Sequence, residues 1–172
     1  MKTILPIMIL AWMAMGCTNC DSTAHASPAV WGEIVLVQFT GDANLNGWKM
    51  VDGGTGCGFA VNEAGNAVFS GSHGEAAIQC DFDPVNVAPC RSIDLGLKGD
   101  GRWYQLILQT DRNASQVYNF EFQTRGEWET IEIPFADMTP AFSGQTLARI
   151  QILSDDDAPG PFRLEIDRIW LK

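Results

Sequence analysis

Histidine is almost missing from this chain, with His25 and His73 the only two. Relays that pass protons near neutral pH draw heavily on imidazole, so the shortage narrows the enzyme chemistries open to the protein. Basic residues are scarce too: 11 Lys and Arg stand against 21 Asp and Glu, a formal charge of -10. Such a surface repels a phosphate backbone, which excludes nucleic acid as a partner. No apolar run approaches the roughly 20 residues that span a bilayer; the longest goes from Ile4 to Met15. No extended 3.6-residue hydrophobic period occurs either, so long helices are excluded, and with them a parallel α/β sheet.

What is present is an ordinary globular composition, 46% hydrophobic and 19% charged, enough for one packed domain. The opening MKTILPIMILAWMAMGC has a positive start at Lys2, a short apolar run and small residues after it, the layout of a secretory leader. Two processing sites compete. Ala14-Met15-Gly16-Cys17 is similar to a bacterial lipobox and would make Cys17 the lipidated amino terminus, whereas Ala24-His25-Ala26 is an A-x-A site for cleavage after Ala26. The expected organisation is a signal peptide over 1–16, a Ser/Ala/Thr-rich tether over 17–32 and a domain over 33–172. Export to the periplasm or outer membrane as a lipoprotein, or secretion, follows. Membrane contact is then expected only through the lipid.

In an oxidising compartment the domain's Cys57, Cys80 and Cys90 become candidates for a bridge. Cys80 and Cys90 enclose CDFDPVNVAPC, whose two prolines suit a turn-rich loop, and they form the candidate disulfide. Zinc is disfavoured, because it wants four closely spaced N/S ligands and only His73 adds to the three thiols.

From Ser92 onward apolar residues recur at every second position: Ile93, Leu95, Leu97; Tyr104, Leu106, Leu108; Tyr118, Phe120, Phe122; Ile131, Ile133; Ile150, Ile152; Phe162, Leu164, Ile166. Period two means strands, and polar residues between them mean that one sheet face meets water, as in antiparallel sheets. Further apolar segments lie at Ile34 to Phe39, Ala67 to Phe69 and Ala76 to Phe82, separated by glycine-rich loops such as VDGGTGCG. The pattern predicts an all-β antiparallel two-sheet sandwich of roughly eight or nine strands, with an open barrel as the runner-up.

KGDG, at 98–101, stands between alternating runs and reads as a hairpin turn, since Asp-Gly suits positive φ. Trp103 follows it, and alternation groups Trp103 with Gln105 and Gln109, opposite the core set. A large ring beside amides is equipment for stacking on a sugar, with Arg102 adjacent as a further donor; the alternative is a ring lying under a loop or the second sheet.

Taken in order, GDGRWYQLIL, YNFEFQT, WETIEIPF with the following AFSG, and FRLEIDRI resemble the complex I intermediate-associated protein 30 domain. Before these, Trp48 and VDGGTGCG resemble its paired-glycine region, with Asp52 and Gly56 in place of that region's Met and Ser. The resemblance implies a galactose-binding-like jelly roll and a non-catalytic binding scaffold. In mitochondria the family is linked to assembly of respiratory complex I through partners rather than through a reaction.

A search for chemistry finds no catalytic set. Ser70-Gly71-Ser72-His73-Gly74 has serine where a nucleophile elbow requires glycine, and no helix follows. Gly54-Thr55-Gly56-Cys57-Gly58-Phe59 fails the dinucleotide pattern at its last position. No cofactor is required; structural calcium is the one candidate, on Asp155, Asp156, Asp157 and Asp167. The expected partner is a protein, in an assembly-factor-like role, or a glycan, taken by a monomer.

Overall fold

The computed structural model describes residues 33–39, 45, 47–54, 56–72, 75–154 and 160–172. The leader, the tether, Cys17, His73 and Asp155, Asp156 and Asp157 lie outside the described residues. Eleven strands follow one another: β1 (Ile34–Gln38), β2 (Trp48–Gly53), β3 (Gly58–Val61), β4 (Ala67–Gly71), β5 (Ala76–Asn86), β6 (Ser92–Lys98), β7 (Trp103–Gln109), β8 (Tyr118–Gln123), β9 (Trp128–Pro134), β10 (Thr146–Ser154) and β11 (Phe162–Leu171). A single 3-10 turn, Phe135–Asp137, is the one helical element among the described residues, and none there is long and apolar enough to cross a membrane.

The strands form two antiparallel sheets. One has the order β3-β4-β11-β6-β9, with β1 also pairing β11, and the other has the order β2-β5-β10-β7-β8. Only β3–β4 and β7–β8 pair with their immediate successors. Every other connection crosses from one sheet to the other, which makes the architecture a sandwich rather than a barrel.

Alternation explains what lies between the sheets. Trp48, Cys80, Ile150, Leu108 and Tyr118 are register partners across the five-stranded sheet, and all are buried. Two residues on, Ile78, Ile152 and Leu106 continue the inner face without any exposure. The facing sheet supplies Ile93, Leu95, Leu97, Ile133, Leu164, Ile166 and Ile169. Each such side chain stabilises the fold by about 1.5–3 kcal/mol when fully buried, so this interior decides the topology.

Three expectations are corrected here. KGDG does not close a hairpin, because β6 pairs β9 and β11 whereas β7 pairs β10 and β8; the turn carries the chain between sheets. Of its two glycines only Gly101 has positive φ, at 89°. Gly99 is needed for space, since a β-carbon there would collide with the Thr124 side chain. The VDGGTGCG stretch is only partly loop, as β2 runs to Gly53 and β3 begins at Gly58.

Cys80 and Cys90 are not joined to each other, against the expected bridge. The segment between them is no compact loop: β5 continues as strand to Asn86, paired with β10 as far as Thr146, and an extended strand carries the two cysteines apart. Burial, helped by the charge of Asp81, pushes the Cys80 thiol up to about 11, and burial raises Cys90 as well.

Candidate binding face

On the outer side of the five-stranded sheet, the alternate residues of four neighbouring strands line up. Lys49 of β2 stands opposite Gln79 of β5, which stands opposite Gln151 of β10 and then Ile107 of β7. The next row toward one end is Asp81, Arg149 and Gln109, and toward the other Leu153, Gln105 and Glu121. Trp103 closes the face, opposite Gln123. From Trp103 to Gln109 the face extends for about 20 Å along β7.

Polar side chains here are joined to one another. Arg149 donates from Nε to Asp81 Oδ1 at 2.5 Å and from Nη1 to Gln109 Oε1 at 3.0 Å. Gln79 donates to Asp81 Oδ2 at 2.8 Å, and Lys49 lies 3.4 Å from the same oxygen. Gln151 donates to Gln79 Oε1 at 2.6 Å. Burial alone would raise the Asp81 carboxyl, but the hydrogen bonds from Arg149 and Gln79, the Arg149 charge and the Lys49 contact outweigh it and hold Asp81 below its ordinary value. The ladder is therefore an ionised, prearranged strip of donors and acceptors.

The sequence-derived candidates separate. Trp103, Gln105 and Gln109 do share this face, and Trp103 is 49% exposed. Gln105 is half-buried and accessible at the middle of the strip. Gln109 is corrected as an open ligand group: only 8% exposed, it takes Arg149 on its oxygen and donates to Ala114 O at 2.9 Å, tying down the loop after β7. Arg102 also leaves the set, because its guanidinium turns toward Asp100, with Nε 3.8 Å from Oδ2. Asp167 sits exposed at the bulge of β11, and no group of three or more potential metal ligands occurs among the described residues.

Sequence reading missed Lys49, Gln79, Asp81, Arg149 and Gln151. Their signal was visible as polar residues alternating with Ile78, Cys80, Ile150 and Ile152, but nothing local showed that β5 and β10 are neighbours.

The model of the family described as Complex I intermediate-associated protein 30 matches residues 32–166. Among solved structures, the family 11 carbohydrate-binding module from Clostridium thermocellum in complex with a beta-1,3-1,4-mixed-linked tetrasaccharide is 18% identical, with 83% of this chain and 96% of that one covered and a TM-score of 0.59. The family 11 module of a cellulosomal cellulase from the same organism is also 18% identical, covering 83% and 95%, with a TM-score of 0.61. A family 29 carbohydrate-binding module variant complexed with mannohexaose is 15% identical, covering 83% and 92%, with a TM-score of 0.54. At such identities the likeness shows a common fold, the sandwich of two antiparallel sheets. Among curated protein sequences none matches.

Proposed function

The chain belongs to the complex I intermediate-associated protein 30 family, and from that premise we propose that it is a non-catalytic binding module holding an oligosaccharide against the outer face of its five-stranded sheet. The observation that carries this reading is the exposed Trp103 ring at one end of a strip of fixed amides and charges. A sugar presents an apolar C–H face that stacks on an aromatic ring and a rim of hydroxyls that pair with amide, carboxylate and guanidinium groups. The similar modules named above carry a tetrasaccharide and mannohexaose, which supports the ligand class. Asp81 favours binding over catalysis: held ionised by two cations and an amide, it is not tuned to exchange a proton near neutral pH.

Calorimetric titration of the purified protein with a mixed-linked beta-1,3-1,4-glucan oligosaccharide and with mannohexaose tests the proposal. Trp103→Ala should weaken binding by about 1–2 kcal/mol, roughly five- to thirty-fold, while leaving thermal stability nearly unchanged. Absence of heat with either glycan, or full affinity in Trp103→Ala, would sink it.

The family itself favours a second reading, an assembly-factor-like role in which this face takes a protein partner. Affinity capture from membranes separates the two: a discrete protein retained by the parent and lost in Trp103→Ala supports the second. Under either reading we place the protein in the cell envelope, tethered at Cys17 or secreted after Ala26. Mass spectrometry of the mature amino terminus decides between these forms.

A further inference from the structure

Asp100 lies in the crossing from β6 to β7, three residues before Trp103. Its carboxylate gathers donors from both sheets. Oδ1 accepts from the Arg102 backbone N–H at 3.1 Å and from the Tyr104 hydroxyl at 3.2 Å, and Oδ2 accepts from the Arg163 backbone N–H at 2.7 Å. Arg102 and Tyr104 are the residues on either side of Trp103, so both neighbours of the exposed ring are tied to one group. Arg163 belongs to β11 in the opposite sheet, and this bond anchors the group to the far layer of the sandwich.

The ring needs such a frame. Trp103 is half in solvent and has little packing of its own to hold it. Its register partner Gln123 holds the crossing from the other side, donating to Gly101 O at 3.0 Å, and Thr124 receives the Gly101 N–H at 3.2 Å. A turn made only to reverse direction would not require a carboxylate aimed at three donors. Asparagine would keep one accepting oxygen, but in either orientation its amide nitrogen would face a backbone N–H, that of Arg102 or that of Arg163, donor against donor.

We infer that Asp100 is a positioning residue for the Trp103 platform, holding the backbone frame from which the ring is presented to ligand. This rests on the proposed binding at Trp103, and two independent readouts keep the two claims apart.

The first readout needs no ligand. In the 15N-labelled protein the Trp103 indole N–H signal is identified by its loss in Trp103→Phe. In Asp100→Asn it should shift and broaden or double, and in Tyr104→Phe it should shift less. An unchanged position and width in folded Asp100→Asn overturns the inference; if that variant does not fold, an unchanged signal in Tyr104→Phe does so. The second readout is affinity for the mixed-linked oligosaccharide. Asp100→Asn should lose about ten-fold, and adding it to Trp103→Ala should cost nothing further, because the two act on one contact. Fully additive losses, or undiminished affinity in Asp100→Asn, overturn the inference. Should the parent bind no glycan, the sugar reading falls and the indole signal alone decides the role of Asp100.

Discussion

Lys172 and Asp94 form an ion pair on the outer face of the six-stranded sheet, with Nζ 2.5 Å from Oδ2. Asp94 has no solvent exposure, and its other oxygen accepts the Ser92 hydroxyl at 3.1 Å. The Lys172 main chain bonds to Ser92 in both directions, so the residue after β11 is sewn to β6 by backbone and side chain alike. Beside it the Arg168 guanidinium stacks 4.0 Å from the Trp170 ring centre, and that ring lies over Gly96, within ordinary van der Waals reach of where a β-carbon would stand.

Removing Lys172 leaves a buried carboxylate without its cation. Lys172→Met should therefore destabilise the fold by about 2 kcal/mol, below the ~3–5 kcal/mol of a fully enclosed pair because the lysine is itself partly in water. Adding Asp94→Asn should restore part of the loss in urea unfolding. The Asp94 hydrogen bond, with the charges of Asp94, Glu132 and Glu33, raises Lys172 above its ordinary value against the opposing effect of burial. A raised cation stabilises fully below its unfolded value, near 10.5, and loses that contribution as pH climbs through the folded value. Alkaline loss of stability should accordingly be shallower in Lys172→Met than in the parent.

Asp81 produces the opposite dependence. Its folded value is depressed, so its contribution is present above the unfolded value of 3.8 and is lost as pH falls through the lower folded value. Melting temperature should drop below about pH 4, and Asp81→Asn should flatten that acid limb. Arg149→Met should flatten it as well, because Arg149 supplies the largest of the effects that lower Asp81. An acid limb of full slope in both variants would refute this assignment.

The thiols give a chemical prediction. With Cys80 buried and held up near 11, it stays protonated and inert at neutral pH, and Cys90 is shielded in the same manner. Among the described cysteines, maleimide should label the half-buried Cys57 first, and Cys80 and Cys90 only on unfolding. Peptide mapping without reductant should find no link between Cys80 and Cys90; a peptide joining the two would contradict the structure.

How much of this could be read in advance depended on the range of the interaction. Tyr104, Leu106 and Leu108 announced an inner face, and Trp103 and Gln105 an outer one, because side chains alternate along any strand. The Asp-Gly of KGDG announced a change of direction but not its destination. Whether β7 lies beside β6 or in the other sheet is decided by hydrogen bonds to β8 and β10, the latter more than 35 residues away. Gln109 shows the same limit in one side chain: facing outward did not make it open, since Arg149 and the loop at Ala114 close over its amide.

Period-two alternation and the shortage of long apolar and helical runs determined an antiparallel β protein with water on one side of each sheet, because those properties follow from the local geometry of a strand. Only the tertiary structure decided that Asp81 meets Arg149 and that Asp100 reaches Arg163, pairs 68 and 63 residues apart. Those meetings arise from the order in which the strands pack, and that order is set by the fit of the whole interior rather than by any one stretch of chain.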